Sequence, residues 1–385
     1  MTLELNQLTD VIEEMGQAFA RQQRQFGQLV ERARAWLGEF ADKGRAFEDV
    51  AWEFNAAVPT HEPLDQVVPL PTLPERFTVM GADGTQIQPD RHGLALYYMI
   101  NLGSLVYRHG SGETPEARSV PRLCYKEEDL YEGALLVVGN LLDVRRDRAE
   151  LEHLADLVEA EPAGPTVALV DGTILLWVLE NLPAPGRGEK IEGYLEQVER
   201  IRHKGAAPAA FTSRPRYTGV GRLLHLAHLG GDVERAHSEP NPLERLPDRA
   251  IFSSLAAGAR SPLFASPGTV NRDYYAPTGN QVYFFYVNVA GEEEEAVVAR
   301  VETPAWVVDE PELLALVHGA VVLQSRIAGG FPYVLARADE LAFISGPERQ
   351  RLEEMVAVAL LRAGVVPGLS PKADYKGLTR GGRGW

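Results

Sequence analysis

Two stretches decide how this chain reads: Phe77-Thr-Val-Met-Gly-Ala-Asp83-Gly84-Thr85 and Val167-Ala-Leu-Val-Asp171-Gly172-Thr173. Each is an apolar run of the kind that forms a buried strand, followed at once by Asp-Gly-Thr. A carboxylate at the mouth of a buried strand is costly unless it is paired or meets a cation. Glycine directly after it permits a sharp turn and a close approach of ligand to backbone. Ligand sites in such sheets lie beyond the carboxyl ends of the strands. If the two strands are neighbours, Asp83 and Asp171 converge, and carboxylates that close repel unless a divalent cation sits between them. Ligation by oxygen alone favours Mg²⁺ or Mn²⁺ over zinc. One Asp-Gly is most simply a turn; two copies on matching strands shift the balance toward a site.

Working outward, residues 76–81, 94–107 and 118–125 read as three successive strands, the second containing Asn101-Leu-Gly103. A helix follows over about 143–160, with Asp143 expected as its N-cap and Leu151, Leu154, Leu157 and Val158 as its apolar stripe. Then comes the second Asp-Gly-Thr strand. A strand with Asp, two further strands, a helix and a second strand with Asp is the order of the ribonuclease-H-like α/β fold, which places a third carboxylate on the intervening helix. Glu150 borders the apolar stripe and is preferred to Glu152. A fourth carboxylate would come from a late helix: Asp339, flanked by apolar residues, with Glu340 as the rival. Two ions held by such acids activate water and neutralise the leaving oxygen of a phosphodiester.

The remainder frames this mixed-sheet core. Residues 1–60 read as a helical N-terminal arm, with Leu8, Val11, Ile12, Met15, Phe19, Phe26, Leu29, Val30, Trp36 and Leu37 at helical spacing and a break near Gly44. Its stripe must lie on its own domain or on a partner. Residues 61–75 form a Pro-rich linker. The core runs over 76–377, with a helical insertion at about 181–268 that includes helices at 190–203 and 219–229. A hairpin at 282–301 turns through Glu292–Glu295, helices follow at 311–324 and 347–363, and residues 378–385 make a basic Gly-rich tail.

The 385 residues include 54 acidic and 38 basic ones, a net charge of −16, which argues against gripping nucleic acid by bulk positive charge. Cys124 is the single cysteine, so no intrachain disulfide forms, and a reducing cytoplasm is expected. Met1-Thr-Leu-Glu-Leu reads as no signal peptide, and no apolar run reaches the ~18 residues that span a bilayer. No Walker-A, GxGxxG or GxSxG sequence occurs, which leaves ATP hydrolysis, dinucleotide binding and serine hydrolysis without a starting point. Actin-like ATPases space their Asp and Gly by one residue more. His225 and His228 have a ligand-like spacing on one helix, but with no cysteine or HExxH nearby zinc is discounted.

The acid-bearing strands, Arg146-Asp-Arg-Ala-Glu150-Leu, Phe211-Thr-Ser-Arg-Pro215, Leu246-Pro-Asp-Arg-Ala-Ile-Phe252, Gly258-Ala-Arg-Ser261, Phe284-Phe285-Tyr286, Arg300-Val-Glu-Thr-Pro304-Ala-Trp306 and Gly330-Phe-Pro332 through Asp339 occur in this order. Together, over about residues 76–377, they resemble the NurA nuclease family. The resemblance implies a ribonuclease-H-like, manganese-dependent nuclease with single-strand endonuclease and 5′–3′ exonuclease activity. It also implies a homodimer that stacks on the ring of a HerA-type hexameric ATPase and resects DNA ends for recombinational repair. Carried over, Asp83, Glu150 and Asp171 match the family's metal-binding acids. Many relatives have Ala-His where this chain has Ala338-Asp339, so Asp339 either replaces the histidine or weakens the site.

Arg214 and Arg216, displayed around Pro215, are expected to contact phosphate, as are Arg260 and the tail residues Lys372 and Lys376. Arg260 reads equally as a structural ion pair. Tyr274 and Tyr275 are an aromatic pair of the kind that stacks single-stranded bases, although buried tyrosines are commoner. Against a nuclease holding Mn²⁺ or Mg²⁺, with single-stranded DNA and DNA ends as substrate, stands a weakly active scaffold docked on a DNA translocase.

Overall fold

The computed structural model describes residues 8–177, 179 and 186–365. In chain order these form α1 (Thr9–Glu39), a 3₁₀ segment (Ala41–Phe47), α2 (Glu48–Phe54), β1 (Val58–Pro59), β2 (Phe77–Ile87), β3 (Tyr98–His109) and β4 (Glu116–Cys124). Then follow α3 (Glu127–Leu130), β5 (Tyr131–Glu132), β6 (Leu135–Leu136), α4 (Asn140–Ala160), β7 (Thr166–Asp171), α5 (Arg187–His203) and β8 (Ala207–Thr212). After these come α6 (Gly219–His228), α7 (Val233–Ser238), α8 (Asp248–Ile251), β9 (Phe264–Ala265), β10 (Val282–Asn288) and β11 (Val298–Pro304). The chain closes with α9 (Ala305–Val308), α10 (Pro311–Ile327), α11 (Tyr333–Ala342) and α12 (Gly346–Arg362). None of these helices is long and apolar enough to cross a membrane.

The described residues form two compact units, one of residues 8–73, 172–175 and 210–331, the other of residues 74–171, 176–209 and 332–365. In the second unit β2, β3 and β4 make an antiparallel meander, and β7 returns parallel to β2 in register from Thr78↔Thr166 to Ala82↔Val170. The connection between β4 and β7 runs through α4, which packs on β2 and buries Leu151, Leu154, Leu157 and Val158. This is the ribonuclease-H-like order expected from sequence. On the same sheet α11 lies over β2 and β3. It comes in close because Gly81 and Gly103 offer no side chain: a Cβ on Gly103 would stand 2.1 Å from the Ala338 carbonyl oxygen. Asn101, two residues from Gly103, donates its amide to the carbonyls of Leu341 and Ala342 at 3.2 and 2.9 Å, satisfying groups that a helix end leaves unpaired.

The first unit is an antiparallel array, β1-β9-β10-β11, with residues 210–212 of β8 paired to β11. Its core gathers Phe252, Phe264, Phe284 and Tyr286 with α2, α6, α8 and the C-terminal half of α1, where Ala33 and Leu37 are buried, as is Phe40 just after it. The N-terminal half of α1 leaves Val11, Ile12, Met15 and Phe19 exposed. So the arm's stripe is satisfied by its own unit over only part of its length.

Four sequence expectations are corrected. Asp143 is not the N-cap of its helix: α4 starts at Asn140 after Gly139 (φ 54°), and Asp143 accepts from Gln86 Nε2 at 2.7 Å. The insertion at 181–268 is not simply helical, because Ala207-Pro-Ala-Ala-Phe-Thr212 is a buried strand. Its alanines favour helix intrinsically, but Pro208 has no N–H for a helical bond, and burial decides. Asp83 is not at a strand end, since β2 continues to Ile87 with Asp83 opposite Gly103. Finally, Gly84 makes no turn there; Gly172, at φ 91°, does.

Candidate metal-binding site of the second unit

The β2–β7 ladder ends at Ala82↔Val170, so Asp83 and Asp171 are the next residues on two parallel strands in register. In-register neighbours project to one face of a sheet, which brings these acids side by side where parallel pairing stops. The backbone N–H of Gly84 donates to Asp83 Oδ1 at 2.7 Å. Across from it, Glu150 on α4 presses onto β2: a Cβ on Gly84 would lie 2.6 Å from Glu150 Oε1 and 3.0 Å from Arg146 Cγ. Glycine at position 84 therefore serves the approach of a carboxylate rather than a turn.

The electrostatics tie these groups together. Burial, then the charges of Asp171 and Asp339, push the Asp83 carboxyl up to about 6, against its bond from Gly84 and the pull of Arg146. Glu150 is raised well above the usual carboxylate range, first by burial and then by Asp147, Asp83 and Asp171, with Arg146 opposing. Asp339 stands exposed on α11 and is felt by Asp83. The rivals are engaged elsewhere: Glu152 pairs with Arg122 at 2.7 Å, and Glu340 pairs with Arg337. Glu150 and Asp339 are the members of each pair whose charge bears on, or is borne on by, Asp83.

An oxygen-only donor set of four carboxylates suits a hard divalent ion such as Mg²⁺ or Mn²⁺. The charge balance suits one too, since among the described residues the guanidinium that opposes the shifts of Asp83 and Glu150 is that of Arg146. As the side chains stand, no three His, Cys, Asp or Glu side chains among the described residues are drawn close enough to share one ion. Glu150 Oε1 is instead 3.1 Å from Arg146 Nε.

The predicted basic residues separate. Arg214 and Arg216 are exposed on either side of buried Pro215, and Arg214 holds φ 47°, a left-handed conformation uncommon for any residue but glycine and often found at functional sites. Arg260 is a correction: it is buried and forks onto Glu62 at 2.8 and 3.0 Å, so it is an internal ion pair rather than a contact for DNA. Lys372, Lys376 and the 378–385 tail lie outside the described residues. Tyr275 is buried and donates to the Ile174 carbonyl at 3.0 Å, and Tyr274 is half-buried. His225 is buried, and exposed His228 stacks on half-buried Trp36 at 4.3 Å, so the two histidines sit in different surroundings.

Several other quoted segments turn out to build the first unit's interior. Asp248 accepts from the Val220 and Gly221 N–H groups at the start of α6 and from the Tyr286 hydroxyl at 2.9 Å. Arg300 lies 3.5 Å from the Phe284 ring centre and pairs with Glu302 at 2.8 Å, both fully buried. Glu302 in turn accepts from the Thr173 hydroxyl at 2.6 Å and from the Ile174 N–H at 3.2 Å, which fixes the turn after Asp171. Sequence reading singled out these residues as pattern, without their partners.

The second unit is thus a ribonuclease-H-like domain with acids where its central parallel pair ends. The NurA domain family model matches residues 77–344, more than half of the chain, and the chain belongs to the NurA family. No curated protein matches it. Among solved structures, the NurA nuclease from Sulfolobus solfataricus is 13% identical, with TM-score 0.48 over 78% of this chain and 87% of that one. A NurA bound to dAMP and manganese is 11% identical, with TM-score 0.41 over 94% and 98%. The catalytic domain of human endonuclease V is 15% identical, with TM-score 0.30 over 86% and 97%.

Proposed function

We propose that this protein is a divalent-cation-dependent DNA nuclease whose ions are held by Asp83, Glu150 and Asp171, with Asp339 as a fourth ligand. The observation that carries this reading is the register of β2 and β7, which sets Asp83 and Asp171 side by side with Glu150 pressed against Gly84. When bound, Mn²⁺ or Mg²⁺, as one ion or a pair, supplies activation of water and neutralisation of charge on a phosphodiester. The chain's own residues do the rest. Gly84 fixes the Asp83 carboxylate through its N–H, the clamp of Glu302 on Thr173 and Ile174 holds the turn after Asp171, and α4 delivers Glu150 from a buried face. Family membership supports the remaining proposals: single-stranded DNA and DNA ends as substrates, 5′–3′ polarity, a homodimer, cytoplasmic action, and resection of ends with a HerA-type hexameric translocase.

The test is a Mn²⁺ titration of cleavage on matched single-stranded DNA and RNA oligomers, with and without the translocase. The expected result is DNA cleavage that saturates with Mn²⁺ and vanishes in EDTA. Undiminished cleavage in EDTA sinks the reading. A second reading, a weakly active scaffold for the translocase, is favoured by the spread of the acids, no three of which among the described residues are close enough to share one ion. Robust cutting by the purified protein without a partner counts against it.

Arg214 and Arg216 are proposed as phosphate contacts. Their double replacement by alanine is expected to weaken single-strand binding alike for all sequences and to reduce the salt slope by roughly 1.4, at ~0.7 per phosphate contact. Fluorescence anisotropy across a salt series measures this, and an unchanged slope removes both residues from the interface. With a net charge of −16, the chain by itself is expected to bind weakly at physiological salt.

A further inference from the structure

Of the three arginines at the start of α4, one alone enters the acid group. Arg145 donates to the Tyr98 hydroxyl at 2.9 Å and to the Asp129 carbonyl, and Arg148 lies against Gly193 of α5. Arg146 instead crosses Gly84, with its Cγ 3.0 Å from where a Cβ there would be. Its head is shared between Asp147 Oδ1 and Glu150 Oε1, each at 3.1 Å. The sharing is loose: Arg146 Nε is buried, and its N–H meets no hydrogen-bond partner among the described residues. Its side chain is 31% exposed against 11% for Glu150, so Arg146 is the more open of the two to solvent. An arginine with a fixed stem, an Nε that faces a carboxylate without a formed hydrogen bond, and a partly exposed side chain has the chemistry to take a phosphate.

We propose that Arg146 is a catalytic residue that exchanges partners: it neutralises Glu150 until a divalent cation claims that carboxylate, and then donates to a phosphate oxygen of the bound strand. This rests on the nuclease reading above. The exchange keeps every charge paired: the divalent ion replaces the single positive charge on Glu150, and the released guanidinium meets the negative charge of the phosphate. Anchoring the stem over Gly84, beside Asp83, keeps the released guanidinium within reach of the same group.

Arg146→Gln and Arg146→Lys are compared with wild type and with Arg148→Gln, which removes the same charge from the same helix. Two quantities are read: Mn²⁺ affinity of the DNA-free protein, by the EPR signal of free Mn²⁺, and kcat on a single-stranded oligomer at saturating Mn²⁺. Loss of the competing cation is expected to tighten Mn²⁺ binding in Arg146→Gln by about threefold, the scale of a partly exposed ion pair. Loss of the phosphate donor is expected to lower kcat by roughly tenfold to a hundredfold. Arg146→Lys keeps a point charge and recovers part of both, and Arg148→Gln moves neither by as much. A fall in both quantities marks a merely structural role and overturns the proposal, as does an unchanged kcat. Wild-type protein that neither binds Mn²⁺ nor cuts DNA overturns the nuclease reading itself. Wild-type cutting with Arg146→Gln unaffected overturns this inference alone.

Discussion

Asp83→Asn is expected to lower cleavage of single-stranded DNA by about three orders of magnitude or more, on the scale of losing a principal electrostatic group from a site that lowers the barrier by charge. The substitution keeps shape and volume, so the fold should survive. In EDTA the variant should even gain stability, on the order of 1 kcal/mol at neutral pH after allowing for partial exposure. The sign follows from the shift. Burial and the neighbouring Asp171 and Asp339 raise the Asp83 carboxyl from its ordinary 3.8 to about 6, so folding favours the protonated form. That stabilisation is complete below the unfolded value and is lost as pH rises through about 6. Wild type measured in EDTA should therefore lose melting temperature between about pH 4 and pH 6.5 relative to Asp83→Asn, and the two curves should run parallel at higher pH. Full activity in the variant removes Asp83 from the site, and a pH-independent difference in melting temperature removes the carboxylate repulsion.

The acids were legible because they recur in a pattern with one physical explanation: a charge placed twice after a buried apolar run. Glu150 was legible through helical periodicity, since a residue bordering an apolar stripe has limited directions to face. Local pattern could not say what each glycine is for. Gly84 and Gly172 follow identical neighbours, yet one admits a carboxylate and the other turns the chain. Partners distant in sequence were equally hidden. Arg260 read equally as a phosphate contact and as an ion pair because Glu62, which neutralises it, lies 198 residues earlier. The strand at 207–212 was missed because alanine carries little β signal, and only burial between neighbours makes it a strand. Which arginine of Arg145, Arg146 and Arg148 faces β2 depends on the seating of α4, and no spacing rule supplies that.

Gly103→Ala is expected to produce a large loss of stability in the second unit, because the atoms it meets cannot move aside. The new Cβ would stand 2.1 Å from the Ala338 oxygen, 2.5 Å from the Ala342 nitrogen and 2.9 Å from the Leu341 carbonyl carbon, all main chain of α11. A side chain can rotate away from such a contact; a helix must translate. Moving α11 outward stretches the bonds from Asn101 to Leu341 and Ala342 and opens the packing of buried Val334, Leu335, Ala338 and Ala342. Overpacking that shifts backbone and breaks such bonds costs about 3–5 kcal/mol, or roughly 10 °C in a unit of this size. Gly81→Ala meets Val334 at 2.8 Å and should follow with a smaller loss. The same displacement carries Asp339 away from Asp83, so at a temperature where Gly103→Ala is still folded its Mn²⁺ affinity reports on the fourth ligand. Affinity that falls with the shift supports Asp339 as a ligand; affinity equal to wild type in a folded but destabilised variant assigns ion binding to Asp83, Glu150 and Asp171 alone. An unchanged melting temperature contradicts the seating of α11 on β3 from which both expectations are drawn.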